Sequence, residues 1–419
     1  MLSSSMQTSQ NSFTQTRWFV LLLGALTAMD PLSIDMYLPA FSDIQKSFET
    51  SFSLVEMSVS AFFVGMAFGQ LIYGPLADRF GRKKPLMAGM MLYLIATIGC
   101  AYAPNIETFI FARVLQALGG CAGMVITRAI VRDVFDKKRV AEFLSSMALV
   151  MGLAPILAPS MGSFVNHYFG WKAIFVALAL ANIFCFICIY MFLPETNFHR
   201  KEKMDLIGTL KAYGGLLKTK SFVGYLIPDA AVRAGMFAYI AGSPFVFIEL
   251  FGIPKEQYGW IFGMNGLGLM AASQINRRLL KRYDPELILK WSVRAAFVAA
   301  LIVFIAPQVS MVPAVTLLPL FLFLACLNFI GPNSLAGALA TQGHQAGTAS
   351  ALYGCLQWSL ASGSAFLVSH FHNGTAMPMT GVILGCGLFS LVAFTILVNP
   401  KKRIPQNVKP VPNEAEPGS

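Results

Sequence analysis

The chain has 419 residues, of which 56% are hydrophobic and only 12% are charged. Soluble domains average about 25% charged residues, so this chain lacks the polar side chains to cover its own surface, and lipid must be its solvent. The net charge of +11 does not indicate nucleic-acid binding, because the basic residues lie in short loops between apolar runs, where they set membrane orientation.

The apolar runs are long and do not alternate with polar residues, which excludes a membrane β-barrel and leaves membrane helices. A span needs roughly 20 apolar residues. By this measure the chain is an all-α membrane protein with twelve transmembrane helices. The predicted spans are at about 17–40, 52–75, 85–103, 107–131, 142–165, 172–194, 221–248, 256–276, 287–307, 311–333, 349–371 and 378–398.

Basic residues set the predicted orientation. They crowd the loops on the side that also carries both termini, while the opposite side holds only Lys46, Lys172 and Lys255. Because positive loops stay in the cytoplasm, both termini are predicted to be cytoplasmic. The longest internal connection divides the chain into two pseudo-symmetric six-helix halves, a plan typical of secondary transporters. The predicted domains are a cytoplasmic tail (1–16), an N-terminal half (17–194), a central cytoplasmic loop (195–220), a C-terminal half (221–398) and a disordered cytoplasmic tail (399–419).

The first span carries two carboxylates, Asp30 and Asp35. A charged side chain at the bilayer centre costs a few kcal/mol and is usually functional. On a helix the two residues are about 140° apart. Both can therefore reach one cavity only if that cavity is wide or the helix breaks at Pro31. We expect Asp35 to carry a proton, with Asp30 as the second candidate.

The loop between spans two and three reads Gly74-Pro-Leu-Ala-Asp78-Arg79-Phe-Gly81-Arg82-Lys83-Lys84. It resembles the signature loop of the major facilitator superfamily. The resemblance implies the fold of that superfamily and a conformational latch made by Gly74, Asp78, Arg79, Gly81 and Arg82. Asp78 is expected to pair with basic residues or a helix N-terminus of the other half.

Span four carries Arg113-Val-Leu-Gln116-Ala-Leu-Gly-Gly, which resembles a second motif of the superfamily. An arginine inside a span needs an acidic or carbonyl partner, and the carboxylate of span one is the expected one. A purely structural ion pair is the alternative.

Span five contains a motif that resembles the one associated with antiporters. Its matching residues are Gly152, Pro155, Pro159 and Gly162, whereas Ala154, Ala158 and Ser163 stand where the strict pattern has Gly. Small residues let a helix approach its neighbour closely, so ordinary helix crossing also explains this stretch.

Four further segments look like the Bcr/CflA branch of drug:proton antiporters. They are 33–39 (SIDMYLP), 68–75 (FGQLIYGP), 243–249 (SPFVFIE) and 346–351 (AGTASA). The resemblance implies proton-driven export of small antibiotics of the bicyclomycin and chloramphenicol type across a bacterial inner membrane. Asp35 matches the branch and Asp30 is additional.

Central positions of the spans supply the predicted substrate cavity: Tyr37, Gln116, Asp229, Arg233, Phe237, Asn265, Gln357 and Trp358. Apolar and aromatic walls with few polar anchors suit varied ligands. Asp229 and Arg233, four residues apart, either neutralise each other on one helix face or bias substrate choice.

Three functions compete. The first is a proton-coupled exporter whose partners are drugs, protons and the bilayer. The second is an importer or facilitator of a small metabolite on the same fold, since the fold does not decide direction. The third, a membrane enzyme, lacks support because no metalloprotease or phosphate-loop motif is found. A monomer without cofactor or metal, driven by the proton gradient, is expected.

Overall fold

The computed structural model describes residues 17–135, 137–197, 206–340, 342 and 346–398. Both predicted tails, 1–16 and 399–419, and part of the predicted central loop lie outside these residues.

The described chain is built of helices, as the apolar runs predict. In order they are α1 (Arg17–Asp35), α2 (Phe41–Phe48), α3 (Phe52–Phe80), α4 (Lys83–Ala101), α5 (Ile106–Val134), α6 (Lys137–Phe169), α7 (Trp171–Phe192), α8 (Leu206–Lys218), α9 (Lys220–Ser243), α10 (Lys255–Leu279), α11 (Pro285–Val309), α12 (Pro313–Leu339), α13 (Ala346–His370) and α14 (Met377–Leu397). A 3₁₀ turn, Leu38–Ala40, separates α1 from α2, and a π-helix, Pro244–Leu250, follows α9.

Nine helical segments in the described part are long and apolar enough to cross a membrane. The other three predicted spans coincide with α6, α10 and α13, which have 33, 25 and 25 residues. The all-helical, multi-pass class is thus confirmed, while twelve crossings and cytoplasmic termini stay predictions.

The first predicted span does not break at Pro31. α1 runs through Pro31 and ends at Asp35, so of the two alternatives for bringing both carboxylates to one cavity, the break at Pro31 does not occur. Pro39 gives the physical reason, because it lacks the N–H that would bond to the carbonyl of Asp35. The chain therefore turns directly after the second carboxylate.

Two interfaces join the halves: α3 packs on α13, and α6 packs on α10. We name the two ends of the bundle by their loops. The basic end carries residues 78–84 and 277–282, and the sealed end carries residues 36–51 and 250–255.

Polar contacts between the halves gather at the sealed end. Ser53 Oγ donates to the carbonyl of Ser369 at 2.7 Å, and Ser369 Oγ donates to the carbonyl of Ser53 at 2.6 Å. Lys255 Nζ lies 2.9 Å from a carboxylate oxygen of Asp43. Such a distribution is typical of a two-half bundle that is closed at one end.

Candidate functional site

Asp30 is fully buried on α1. Its carboxylate contacts α5 at Gly120, where no side chain intervenes. Among the described residues neither carboxylate oxygen has a hydrogen-bond partner, although Arg128 on α5 attracts Asp30 electrostatically. An isolated buried carboxylate is costly as an anion, so this group is a candidate for binding a proton or cation.

Asp35 ends α1 and is 2% exposed. Its carboxylate interacts electrostatically with Tyr239 of α9 and Tyr258 of α10, which belong to the other half. Its Oδ1 is buried without a hydrogen-bond partner among the described side chains. Asp30 therefore faces the interior of the N-terminal half, whereas Asp35 faces the interface between the halves.

Arg113 is fully buried on α5 but does not pair with a carboxylate as we expected. Its Nη2 donates to the carbonyl of Ser33 at 3.0 Å, and its Nη1 donates to Gln116 Oε1. The guanidinium carbon lies 4.3 Å from the ring centroid of Tyr37 and 4.4 Å from that of Phe62. Because α1 ends at Asp35, its last carbonyls lack intrahelical partners and form the negative end of the helix dipole. The arginine binds this carbonyl end instead of a carboxylate.

Two residues predicted to line the cavity, Tyr37 and Gln116, lie in this arginine cluster instead, and their place in the cavity stays a prediction. Tyr37 is fully buried and its hydroxyl lies 3.0 Å from Ser58 Oγ. Gln116 is also fully buried and donates from Nε2 to Thr97 Oγ1 at 2.9 Å. Gln116 thus hydrogen-bonds the buried charge of Arg113. Its position along the helix alone did not predict this partner.

Other predicted cavity residues do meet at the interface between the halves. The ring of Phe237 on α9 lies 4.5 Å from Phe63 on α3 and 5.0 Å from Trp358 on α13, between centroids. Asn265 on α10 donates from Nδ2 to the hydroxyl of Tyr239 at 3.1 Å. Tyr239 thus links Asn265 to the surroundings of Asp35.

Asp229 and Arg233 pair as their spacing predicts, with 3.3 Å between Arg233 Nη2 and Asp229 Oδ1. The pair is not isolated. Asp229 Oδ2 accepts from the hydroxyl of Tyr353 at 2.8 Å and from Gln357 Nε2 at 2.6 Å. Four side chains from α9 and α13 therefore form one network. Arg233 remains 30% exposed, and its Nε has no partner in the described part.

A cavity of about 700 Å³ opens elsewhere in the C-terminal half. It lies between α9, α13 and α14, and its walls include Ala234, Leu367, Phe371 and Phe389. None of the predicted cavity residues lines it.

The predicted latch loop is held by several contacts within the N-terminal half. Arg82 lies 2.9 Å from Asp78 and 2.8 Å from Asp133 of α5. Glu195 accepts the backbone N–H of Arg82 at 2.7 Å. Gly81 has φ +88° and sits against the Glu195 carboxylate, so a side chain there would be strained and would clash. Burial alone would lower the pKa of Arg82, but its hydrogen bonds to Asp133 and Asp78 raise that pKa.

The remaining latch residues, Gly74 and Arg79, make fewer contacts than Asp78, Gly81 and Arg82. Gly74 has open space where a Cβ would stand. Arg79 is exposed, and its guanidinium carbon lies 5.0 Å from the Phe80 ring centroid. Asn197 Nδ2 lies 3.3 Å from the Asp78 carbonyl. Pairing of Asp78 with the other half stays a prediction.

The span-five motif places α6 between the two halves. Gly162 touches the backbone of Met36, just after Asp35, and leaves no room for a Cβ. Ser160 sits equally close to Gly259 of α10. Pro159 is buried. The side chains of two motif residues, Gly152 and Pro155, lie outside the described part. Thus α6 contacts both the end of the carboxylate helix and the other half.

Sequence reasoning missed three charged residues. Arg128 is an exposed cation beside Asp30, and it was readable as a basic residue inside span four. Glu56 is 1% exposed and pairs with His372 at 3.2 Å across the halves. The sequence signal for Glu56 was an acidic residue within the first two turns of predicted span two.

Comparisons with known proteins agree with this architecture. The family model described as Major Facilitator Superfamily matches residues 23–366. An uncharacterised MFS-type transporter of Bacillus subtilis, YdgK, is 35% identical, with 92% of this chain and 96% of that protein covered. The bicyclomycin resistance protein homolog of Haemophilus influenzae is 29% identical, with 93% and 98% covered. The chloramphenicol resistance protein of Pseudomonas aeruginosa is 26% identical, with 89% and 90% covered.

A solved structure shares the fold. It is a bacterial homologue of the human lysosomal transporter Spinster, in an inward-facing and unoccupied conformation, with a TM-score of 0.70 and 13% identity over 92% of this chain and 96% of that one. Such low identity shows the fold alone. The family match and the transporter relatives go further: the chain belongs to the major facilitator superfamily, and it is a membrane transporter, not an enzyme.

Proposed function

We propose that the chain is a proton-coupled antiporter that exports small antibiotics of the bicyclomycin or chloramphenicol type across a bacterial inner membrane, as a member of the Bcr/CflA branch. The observation that carries the proposal is the buried Asp35, which ends α1 and faces tyrosines of the opposite half. A proton carrier has to respond to movement between the halves, and Asp35 is placed to do so. The names of two relatives support the drug class.

In the proposed cycle, Asp35 takes a proton from outside and the drug leaves. The transporter then turns toward the cytoplasm, where Asp35 loses its proton and drug binds again. Coupling requires that the protonated and ionised forms favour different facing states. One charge moving through 100 mV gains about 2.3 kcal/mol, which supports a useful drug gradient.

The sealed end fits one state of this cycle. If the basic end is cytoplasmic, contacts such as Lys255 with Asp43 close the outer side. The conformation is then inward-facing. Asn265, Tyr239, Phe237, Trp358 and the Asp229 network would contribute to the drug site when the halves rearrange.

The test uses inside-out membrane vesicles with a proton gradient and a pH-sensitive dye. Chloramphenicol-type and bicyclomycin-type compounds are added in turn to wild type, Asp35→Asn and Asp30→Asn. We expect dye recovery with wild type and none with Asp35→Asn. Recovery in Asp35→Asn together with its loss in Asp30→Asn would move the carrier to Asp30. No recovery with wild type, while radiolabelled compound still crosses, would replace antiport by facilitated transport.

A further inference from the structure

A buried acid and a histidine meet across the halves at the sealed end. Glu56 lies in the second turn of α3 and is 1% exposed, and His372 follows α13. His372 Nδ1 lies 3.2 Å from Glu56 Oε2. The two residues are 316 positions apart and belong to different halves. The contact therefore exists only while this end is closed.

Aromatic rings flank the contact. The imidazole of His372 stacks on Phe52, with 5.7 Å between centroids and 22° between planes. It also meets the ring of Phe245, after α9, edge to face at 4.5 Å. Phe52 and Phe245 touch each other at 5.4 Å. Two phenylalanine rings thus flank the imidazole where it meets the acid.

Other titratable groups of this end face other partners. Glu256 of α10 lies 3.9 Å from His167 of α6, and both side chains are exposed. Glu249 of the π-helix accepts from Ser42. Asp43 pairs with Lys255. His370 stacks on Phe366 of its own helix. Within the described ranges, His372 is the titratable group that acts electrostatically on Glu56.

Because His372 is the titratable partner of Glu56, the number of protons in the closed pair can be derived. A buried carboxylate needs a counter-charge or a proton. The closed pair therefore holds one proton, either as imidazolium with carboxylate or as imidazole with carboxylic acid. In water a free carboxyl group is ionised above about pH 5, and a free imidazole is neutral above about pH 6.5. Above that pH the separated pair holds no proton.

We propose that Glu56 and His372 form a second proton-binding site, at which closing of the sealed end takes up one proton. By linkage, lowering the pH then favours the closed end. The proton leaves to the same side when the end reopens, so this pair gates the transporter and does not carry the transported proton. That the sealed end faces outward rests on the proposed function. On that basis, outside protons favour the return to the inward-facing state.

The test measures the distance across the sealed end as a function of pH. Spin labels are placed at two exposed positions, by Ser47→Cys on α2 and Met377→Cys on α14. The half-buried Cys188, Cys355 and Cys386 are replaced by Ala to limit labelling elsewhere. All variants carry Asp35→Asn, which removes the proposed carrier from the titration. Distances between the labels are recorded without drug from pH 8.5 to 6.

We expect the ratio of closed to open molecules to rise up to tenfold per pH unit lowered, between pH 8.5 and about 6.5. Glu56→Gln should flatten this slope. His372→Asn should keep the slope but lower the closed fraction, because the unpaired buried Glu56 must then close as the protonated acid. Ser53→Ala is the matched control, because it removes a contact between the halves that holds no titratable group. It should lower the closed fraction at every pH and keep the slope.

If the ratio of closed to open molecules did not change with pH in the labelled protein that carries only Asp35→Asn, the proposal would be overturned. So would a slope that persists in Glu56→Gln. Failure of drug:proton exchange in vesicles would leave these distances unaffected, so the two proposals fail separately.

Discussion

At the scale of the residue, Arg113 illustrates how the chain keeps a permanent charge inside the bundle. Its guanidinium uses the free carbonyl of Ser33, the amide of Gln116 and the faces of Tyr37 and Phe62. Hydrogen bonds and aromatic faces replace water. The cluster also joins α5 to the end of α1, so it holds the segment that presents Asp35.

Replacing this arginine should therefore destabilise the protein. We expect Arg113→Gln to cost about 1.5 to 3 kcal/mol, the usual value of a hydrogen bond to a charged group. Arg113→Lys should recover part of this, because it keeps the charge but not the planar fork. The measurement is the midpoint of thermal unfolding in detergent. Arg132→Gln, at an exposed position of the same helix, is the control and should change the midpoint little. Equal midpoints for Arg113→Gln and wild type would contradict this role.

At the scale of the element, α6 is the helix that touches both the carboxylate segment and the opposite half. Gly162 lies on the backbone of Met36, and Ser160 lies on Gly259 of α10. Close contacts of this kind are made possible by missing side chains. A shift of α6 must therefore move the turn after Asp35, which makes α6 a mechanical link between the carboxylate and the halves.

A single methyl group tests this link. Gly162→Ala should push α6 away from the turn at Met36 and reduce drug transport at least tenfold in vesicles, even where the protein still reaches the membrane. Gly363→Ala on α13 is the matched control, since nothing lies within 4 Å of its Cβ position. It should leave transport unchanged and, through better helix propensity, stabilise its helix by up to about 1 kcal/mol. Normal transport by Gly162→Ala would exclude a role of this contact in coupling.

At the scale of the whole molecule, the sequence predicted the fold better than the site. Long apolar runs and motif residues such as Gly81 and Gly162 indicated a two-half helical bundle, because hydrophobicity and close approach are local properties. Pairing across the halves is not local. His372 joins Glu56 over 316 positions, and no helical period relates them. The expected carboxylate partner of Arg113 was wrong, because the end of α1 depends on Pro39, four residues beyond Asp35.

The most direct measurement is uptake by purified protein in liposomes with an imposed pH gradient. Antiport predicts that radiolabelled chloramphenicol-type or bicyclomycin-type compound accumulates against its own gradient on the more acidic side. It also predicts that reversing the pH gradient reverses the accumulation, and that Asp35→Asn abolishes it. Equilibration of the compound to equal concentrations, whatever the pH gradient, would contradict proton-coupled export.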